Sequence, residues 1–509
     1  MSKMKKKLSA FINLLKEKDL LVETKNFKEV EILDITYNSK NVKANTLFFA
    51  KGEHFKPAYL EDAINRGAKA YVSEHEYAVD KDITSIIVSD IRLAMSVLAN
   101  FFFDYPSKDL TTIAVCGTKG KTTTAYFLKS VLDTELKKEG EKPCGLISSI
   151  IYYAGEKAQE SSNTTPEAIE LQRLLKQGVD RGLKYFVIEV SSQALKYERV
   201  EGVDFDYLAY LNISEDHISP MEHKDFQDYF ASGAKSFSLS KKAILNLDDK
   251  YYEANLKEAK KAKNLESIQT ISLENTQADR FVEDIDLDRY HTSFTTTYLG
   301  KKERFKLAIQ GAFNIYNALA CILIAEDLHI SLESVQAGLA KVKVPGRMQS
   351  FESEDGLLTI VVDYAHNKLS FEALWPDIAS LYKDYEKIAI FGAPGNKARN
   401  RREELGQIAA KYADKIILTM EDPDTESLES INKRIIAQIE KTNTPYLEIA
   451  DRREALFTAV KSVQDKKTVI VITGKSHETS QKIQGKYYPI PTDIEIAEEA
   501  MDLYNQNKL

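Results

Sequence analysis

Residues 113–124 read IAVCGTKGKTTT, and their side chains are those of a phosphate-binding turn. Gly117 and Gly120 suit a tight bend, with Thr118 and Lys119 between them. Lys121 adds a mobile positive charge, Thr122 adds a hydroxyl able to bind Mg²⁺, and Thr123 continues into a helix. Amides from Lys119 to Thr122 at a helix start point toward an anion. The stretch is not the full phosphate-loop pattern, because Val115 stands where that pattern has its first glycine. The plain alternative is an ordinary strand-to-helix turn; Gly-Lys-Thr at the junction favours phosphate. A second acid-bearing stretch is YFVIEV at 185–190. It puts Glu189 near the carboxyl end of a buried strand, where open α/β sheets bind ligands. There it can help position Mg²⁺, or merely end the strand.

The elements around these residues follow from pattern. Residues 110–115 read as a buried strand, and the next helix carries Ala125, Leu128, Leu132 and Leu136 on one stripe. Before it, 30–37, 46–50 and 70–72 read as strands and 59–66 as a helix, with a linker at 105–108. A strand at 207–212 runs into Ile213-Ser214-Glu215-Asp216-His217, and 291–298 with 303–309 alternate like a hairpin around residues 299–302. A helix at 313–326 has Asn314 and Asn317 near its start, and Val344-Pro345-Gly346-Arg347 reads as a hinge. Beyond it, strands at 359–363, 387–391, 415–419 and 468–473 alternate with helices, which predicts a parallel Rossmann-like sheet. The fold class is α/β in three domains: a small α/β domain over 1–107, a central phosphate-loop ATPase-type domain over 108–344, and a Rossmann-like domain over 345–509.

Bulk properties narrow the partners. The 509 residues are 43% hydrophobic, enough for several packed cores. A formal net charge of -8 argues against nucleic acid as a main partner. Three cysteines without CxxC spacing fit a reducing cytoplasm and no zinc or disulfide frame. The basic start reads as an amphipathic helix, since Lys16 and Lys18 interrupt its apolar run, and no stretch is long enough to insert in a membrane.

Seven motifs then occur in one order: GTKGKTTT, NTTP (163–166), EVSSQAL (189–195), NISEDH (212–217), GAFNIYN (311–317), PGRM (345–348) and DYAH (363–366). This series resembles the Mur ligases, and within them the type that adds the third residue of the peptidoglycan stem peptide. With FGAPGNK (391–397), it is most similar to the lysine-adding form. The resemblance implies a first domain that binds the UDP part of a UDP-muramoyl dipeptide, a central domain that binds ATP, and a third that binds the amino acid. It implies a reaction in two steps, and a monomer is expected. The dipeptide carboxylate attacks the γ-phosphate to give an acyl phosphate, and the amino acid then displaces phosphate.

By the same resemblance, Gly117, Thr118, Lys119, Gly120, Lys121, Thr122 and Thr123 hold ATP, with Asn314 on the adenine side and Arg347, Asp363 and His366 reaching ATP from the third domain. Two Mg²⁺ ions are implied, one at Thr122 and Glu189 and a second at His217 and Lys235, the latter as a carbamate. Asn163, Thr164, Thr165, Ser192 and Arg199 match muramoyl-peptide positions, and Ser39 and His54 lie on the uridine side. Two departures stand out: Lys56-Pro57-Ala58 replaces the common Asp-Gly, and Asn367-Lys368-Leu369 replaces Thr-Pro-Asp after DYAH.

For the amino acid, relatives that add diaminopimelate carry Asp-Asn-Pro-Arg where this chain has Glu421, Asp422, Pro423 and Asp424. An acidic pocket suits the cationic end of L-lysine and repels a distal carboxylate. By the resemblance, Arg402 matches the family arginine that would grip the α-carboxylate, with Gly474 and Glu478 of GKSHE nearby. Asp424 could instead cap a helix over 426–438. L-ornithine and meso-diaminopimelate are the rival acceptors. A folylpolyglutamate synthetase-like ligase and a non-catalytic nucleotide-binding protein are the more distant alternatives.

Overall fold

A computed structural model describes residues 4–52, 55–79, 83–215, 218 and 222–507. The chain forms two compact units, Met1–Ser214 with Gln227–Thr270, and Glu215–Phe226 with Ile271–Leu509. The expected α/β class is borne out in both.

Among the described residues the first unit holds two larger sheets, beside a short pairing of Lys6–Lys7 with Glu31–Ile32. One has five strands, β1 (Leu21–Lys25), β2 (Asp34–Thr36), β3 (Thr46–Phe49), β4 (Ala68–Ser73) and β5 (Thr84–Val88), in the order β1-β5-β4-β3-β2. Only β1 runs antiparallel. β1 and β5 escape the sequence pattern. β1 carries Val22, Glu23 and Thr24 at an edge with little burial, and β5 is apolar without alternation. The region expected as a linker is instead a 3-10 turn, Pro106–Asp109, with Pro106 and Ser107 buried.

The second sheet positions the phosphate turn. β6 (Thr111–Cys116) lies between β8 (Tyr185–Glu189) and β9 (Phe205–Tyr210), all parallel, with β7 (Gly145–Ile147) beyond β8 and β10 (Ser240–Asn246) beyond β9. β-branched and aromatic residues fill β6 and β8, which bury almost every side chain against helices on both faces. Helix α1 (Lys121–Glu139) leaves β6 through the glycine turn and buries Ala125, Leu128, Leu132 and Leu136 as expected. The carboxyl ends of β6, β8 and β9 therefore open on one side.

The second unit contains the expected hairpin, Thr292–Tyr298 with Lys301–Leu307, joined by Leu299 and Gly300 at positive φ. Helix α2 (Phe313–Asp327) follows, almost wholly buried. A sheet over residues 349–473 has parallel strands β11 (Leu358–Asp363), β12 (Glu386–Phe391), β13 (Lys415–Leu418) and β14 (Thr468–Thr473), in the order β11-β14-β12-β13, as the alternation predicted. Helix α3 (Lys368–Leu381) begins with an Asn367–Ser370 capping box, so the unusual Asn367 has a structural use.

One buried acid opposes stability. α2 starts at Ala312 without a side-chain cap of its own. Asp377 of α3 accepts from the Ala312 amide, while its Oδ2 has no partner among the described residues. Burial raises the Asp377 pKa from its ordinary 3.8 to about 6. The folded state thus binds a proton more tightly than the unfolded state. The penalty is absent below pH ~4 and complete above pH ~7, at most about 3 kcal/mol. Asp377→Asn keeps an acceptor for the amide, so its melting temperature should exceed wild type by several degrees at pH 7.5 and converge with it near pH 4. A lower melting temperature at pH 7.5 would mean that the charged cap outweighs the burial cost.

Candidate active site

In the first unit the glycine turn is held by Asn212, at the end of β9. The Thr118 amide donates to the Asn212 carbonyl (3.0 Å) and the Lys119 amide to its side-chain oxygen (2.9 Å). Lys119 therefore uses its amide within the turn, and the open amides begin one residue later than the spacing suggested. Gly117 sits at φ +138, where a Cβ would lie 3.1 Å from the Asn212 oxygen, and Gly120 turns into α1 at φ +85. Both glycines are therefore required by geometry. The first amides of α1 have no acceptor within the helix, and its dipole adds positive potential there. The Lys121 ammonium folds back onto the carbonyls of Gly117 (2.7 Å) and Thr118 (3.2 Å), directly over the turn.

The Thr122 hydroxyl donates to Glu189 Oε2 at 3.1 Å and meets the Ser149 hydroxyl at 3.0 Å. The Ser149 amide donates to Glu189 Oε1 (3.1 Å). Thr122 and Glu189 are buried, and both offer hard oxygen donors. This pair fits Mg²⁺ at a phosphate turn, where the ion would neutralise phosphate charge. Among the described residues no cluster of three His, Cys, Asp or Glu side chains could hold a metal. His217, expected at a second ion, and His54 lie outside the described residues.

Glu189 also joins the cradle to the NTTP loop. Thr165 donates through its hydroxyl to the Glu189 carbonyl (2.8 Å) and accepts from the Ser191 amide (3.0 Å). Arg199 donates to the Thr165 carbonyl (3.2 Å) and pairs with Glu167 (2.9 Å), which also binds Lys51. Lys51 stands 4.6 Å over the Tyr37 ring. Asn163 exchanges backbone hydrogen bonds with the Tyr152 hydroxyl, Thr164 is half-buried beside it, and Ser192 opens a short helix capped by Ser191. Thr164, Thr165, Ser192 and Arg199 thus gather beside the cradle, together with Lys51. Ser39 lies apart, buried in a 3-10 turn; Arg66 first, and then the Ser39 hydroxyl, hold the Asp62 pKa down. Lys235, on helix α4 (Phe226–Ser238), pairs with Glu198 and is 45% exposed.

In the second unit Asn314 is buried, donating to the Gln310 carbonyl (2.6 Å) and accepting from Asn317 (3.0 Å). Asp363 ends β11 and accepts from the amides of Met348 and Ala365, both at 2.8 Å, which fixes the Gly346–Met348 turn against the strand. The Arg347 guanidinium lies over the Tyr364 ring at 4.5 Å, and His366 meets the same ring edge-on.

The candidate amino-acid residues also meet. Glu421 is buried, and burial pushes its pKa up to about 7; its Oε2 lies under Gly474, where a Cβ would come within 3.3 Å at φ +105. Asp422 accepts from Lys475 (3.0 Å) and from the Lys482 amide (2.9 Å). Glu478 binds Lys475 and accepts from the Tyr364 hydroxyl (2.6 Å). Asp424 and Arg402 have partners of their own here. Asp424 does not cap the following helix, Leu428–Ile439, which Ser427 caps; it pairs with Lys482 (2.9 Å) and holds the Gly485 amide. Arg402 is buried and forks onto Glu426 with both bonds at 2.7 Å, so its α-carboxylate role requires Glu426 to yield. That pairing lowers the Glu426 pKa to about 2.

The sequence reading missed Tyr364 and Lys475, although both stand inside quoted motifs. It also missed Lys51, which stands near the end of the stretch TYNSKNVKANTLFFAKG (36–52), and Ser149 and Lys482, which carry no local pattern and reach the site only through long-range packing.

Comparison with known proteins agrees with this geometry. The Mur ligase middle domain matches residues 115–325, and the Mur ligase, glutamate ligase domain matches residues 346–476. The UDP-N-acetylmuramoyl-L-alanyl-D-glutamate--2,6-diaminopimelate ligase of Caldanaerobacter subterraneus subsp. tengcongensis is 36% identical, covering 94% of this chain and 96% of that protein. The UDP-N-acetylmuramoyl-L-alanyl-D-glutamate--L-lysine ligase of Enterococcus faecalis is also 36% identical, covering 93% of this chain and 92% of its own length. A solved structure of a UDP-N-acetylmuramoyl-L-alanyl-D-glutamate--2,6-diaminopimelate ligase aligns with a TM-score of 0.64 at 26% identity, covering 93% of this chain and 95% of that one. With a phosphate cradle, a buried Thr–Glu pair and both domain matches in sequence order, this chain belongs to the Mur ligase family.

Proposed function

We propose that this chain is an ATP-dependent ligase of peptidoglycan synthesis that joins L-lysine to UDP-N-acetylmuramoyl-L-alanyl-D-glutamate. One observation carries the reading: Glu189 bonds Thr122 through its carboxylate and Thr165 through its carbonyl. The phosphate turn and the dipeptide loop therefore meet at one strand end, where a carboxylate can be brought to a phosphate. The dipeptide carboxylate forms a bond to the γ-phosphorus, and the bond to ADP breaks. The lysine amine, after losing a proton, bonds to the acyl carbon, and phosphate leaves. Two anions must approach, so positive charge is the main catalytic need. Lys121 and the first amides of α1 supply it on the ATP side, and Arg199 with Lys51 on the dipeptide side. Mg²⁺ held by Thr122 and Glu189 adds to it.

We assign 1–107, 108–344 and 345–509 to the UDP-substrate, ATP and amino-acid domains of a cytoplasmic monomer. The absence of any membrane-length apolar helix among the described residues and three buried free cysteines support that location. Lys235 is read as a carbamate at a second Mg²⁺ with His217.

For the acceptor, Asp422 and Glu478 share one ammonium, Lys475, which favours a lysine side chain, while Glu421, with Arg401 and Arg452 also near it, is partly protonated at neutral pH. Lys482 favours a second reading. Its ammonium on Asp424 puts a cation where relatives that add diaminopimelate carry arginine, so a distal carboxylate would meet a neutralised pair. The test is phosphate release that requires UDP-muramoyl dipeptide and a diamino acid together; release with ATP alone at the same rate would refute the reading.

A further inference from the structure

Tyr364 belongs to no assigned substrate contact, yet it touches residues assigned to two substrates. It follows β11, is largely buried, and donates its hydroxyl to Glu478 Oε1 at 2.6 Å. The face of its ring carries the Arg347 guanidinium at 4.5 Å. His366 packs on it edge-on at 4.8 Å, and His477 lies tilted at 5.1 Å. Glu478's second oxygen binds Lys475, which also holds Asp422. A continuous chain of contacts thus runs from Arg347 through the ring to Glu478, Lys475 and Asp422.

The electrostatics keep this arrangement in one state. Burial and the Glu478 charge raise the Tyr364 pKa well above its ordinary value, so the phenol remains a donor. Burial, with Arg347 and Lys475 nearby, lowers the His477 pKa to about 3, so His477 stays neutral and does not compete with Arg347 for the ring. Without the hydroxyl, the Lys475 pairing would dominate at Glu478, drawing it toward Asp422. Without the ring, the Arg347 guanidinium would lose the face it stacks on, which favours a desolvated cation.

We propose that Tyr364 is a positioning residue shared by two substrates: its hydroxyl sets Glu478 for the amino acid, and its ring sets Arg347 for the nucleotide. This rests on the ligase reading above. The two roles separate chemically. Y364F keeps the ring and loses the hydroxyl. It should raise the amino-acid KM about ten-fold, the scale of one hydrogen bond to a charged group, with the ATP KM within about two-fold of wild type. Y364L removes both features and should raise both KM values. E478Q should raise the amino-acid KM as Y364F does, and adding Y364F to it should bring little further change, because both disturb one contact.

The experiment measures steady-state KM for each substrate and kcat for wild type, Y364F, Y364L, E478Q and the double variant, with melting temperatures as a folding check. Y364F with an unchanged amino-acid KM, or with equal rises in both KM values, overturns the proposal while an active wild type leaves the ligase reading standing. A wild-type chain without amide-forming activity overturns both.

Discussion

Lys121→Ala should lower kcat by about 10³-fold or more while the protein melts at nearly the wild-type temperature. Removing one group that stabilises charge in a buried transition state typically costs 10²–10³ in rate. Lys121 should exceed that range, since the reaction brings a carboxylate against an already anionic phosphate. The fold should tolerate the change. The ammonium bonds only the carbonyls of Gly117 and Thr118, and both can be hydrated once it is gone. The turn itself is held by Asn212 through the Thr118 and Lys119 amides and by two glycines at positive φ, and neither feature depends on the Lys121 side chain. Stopped-flow binding of a fluorescent ATP analogue and a steady-state phosphate assay check the outcome. Turnover within ten-fold of wild type would remove Lys121 from the catalytic machinery.

Lys235→Ala should lower kcat by about 10²–10³-fold, and formate or acetate should restore part of the loss. The carbamate adds CO₂ to the neutral amine with loss of one proton, turning a cation into an anion that can face Mg²⁺. The side chain is 45% exposed, so CO₂ can reach it. Glu198 complicates the picture, because it pairs with the unmodified ammonium and would repel a carbamate. Glu198→Gln separates the cases. A carbamate predicts retained activity in Glu198→Gln and rescue of Lys235→Ala by small carboxylates. A purely structural ion pair predicts loss of stability in both variants and no rescue.

The legible parts of the fold were those whose signal is local. The turn at Gly117–Lys121 needs glycines at positive φ and a helix starting at once, and both needs show in the sequence. The parallel strands of the 349–473 sheet are buried on both faces and read as apolar runs between helices. β1 and the Lys475–Lys482 charge pattern were not legible. An edge strand with mixed polarity has no period to detect. A count of acids in EDPD cannot tell that Asp424 faces a lysine brought by the hairpin Ser480–Ile483 with Lys486–Pro489. Arg402 shows the same limit: its place in the resemblance suggested a ligand for the α-carboxylate, and the sequence gave no sign of its fork onto Glu426.

The account turns on which amine the chain accepts. The direct measurement incubates the chain with ATP, Mg²⁺, UDP-muramoyl dipeptide and equal concentrations of L-lysine, L-ornithine and meso-diaminopimelate, and identifies the product by mass. Asp422 and Glu478, with Lys475 between them, predict a lysine adduct in clear excess, formed with one phosphate per product. A dominant diaminopimelate adduct would show that Lys482 receives the distal carboxylate and would contradict the lysine assignment.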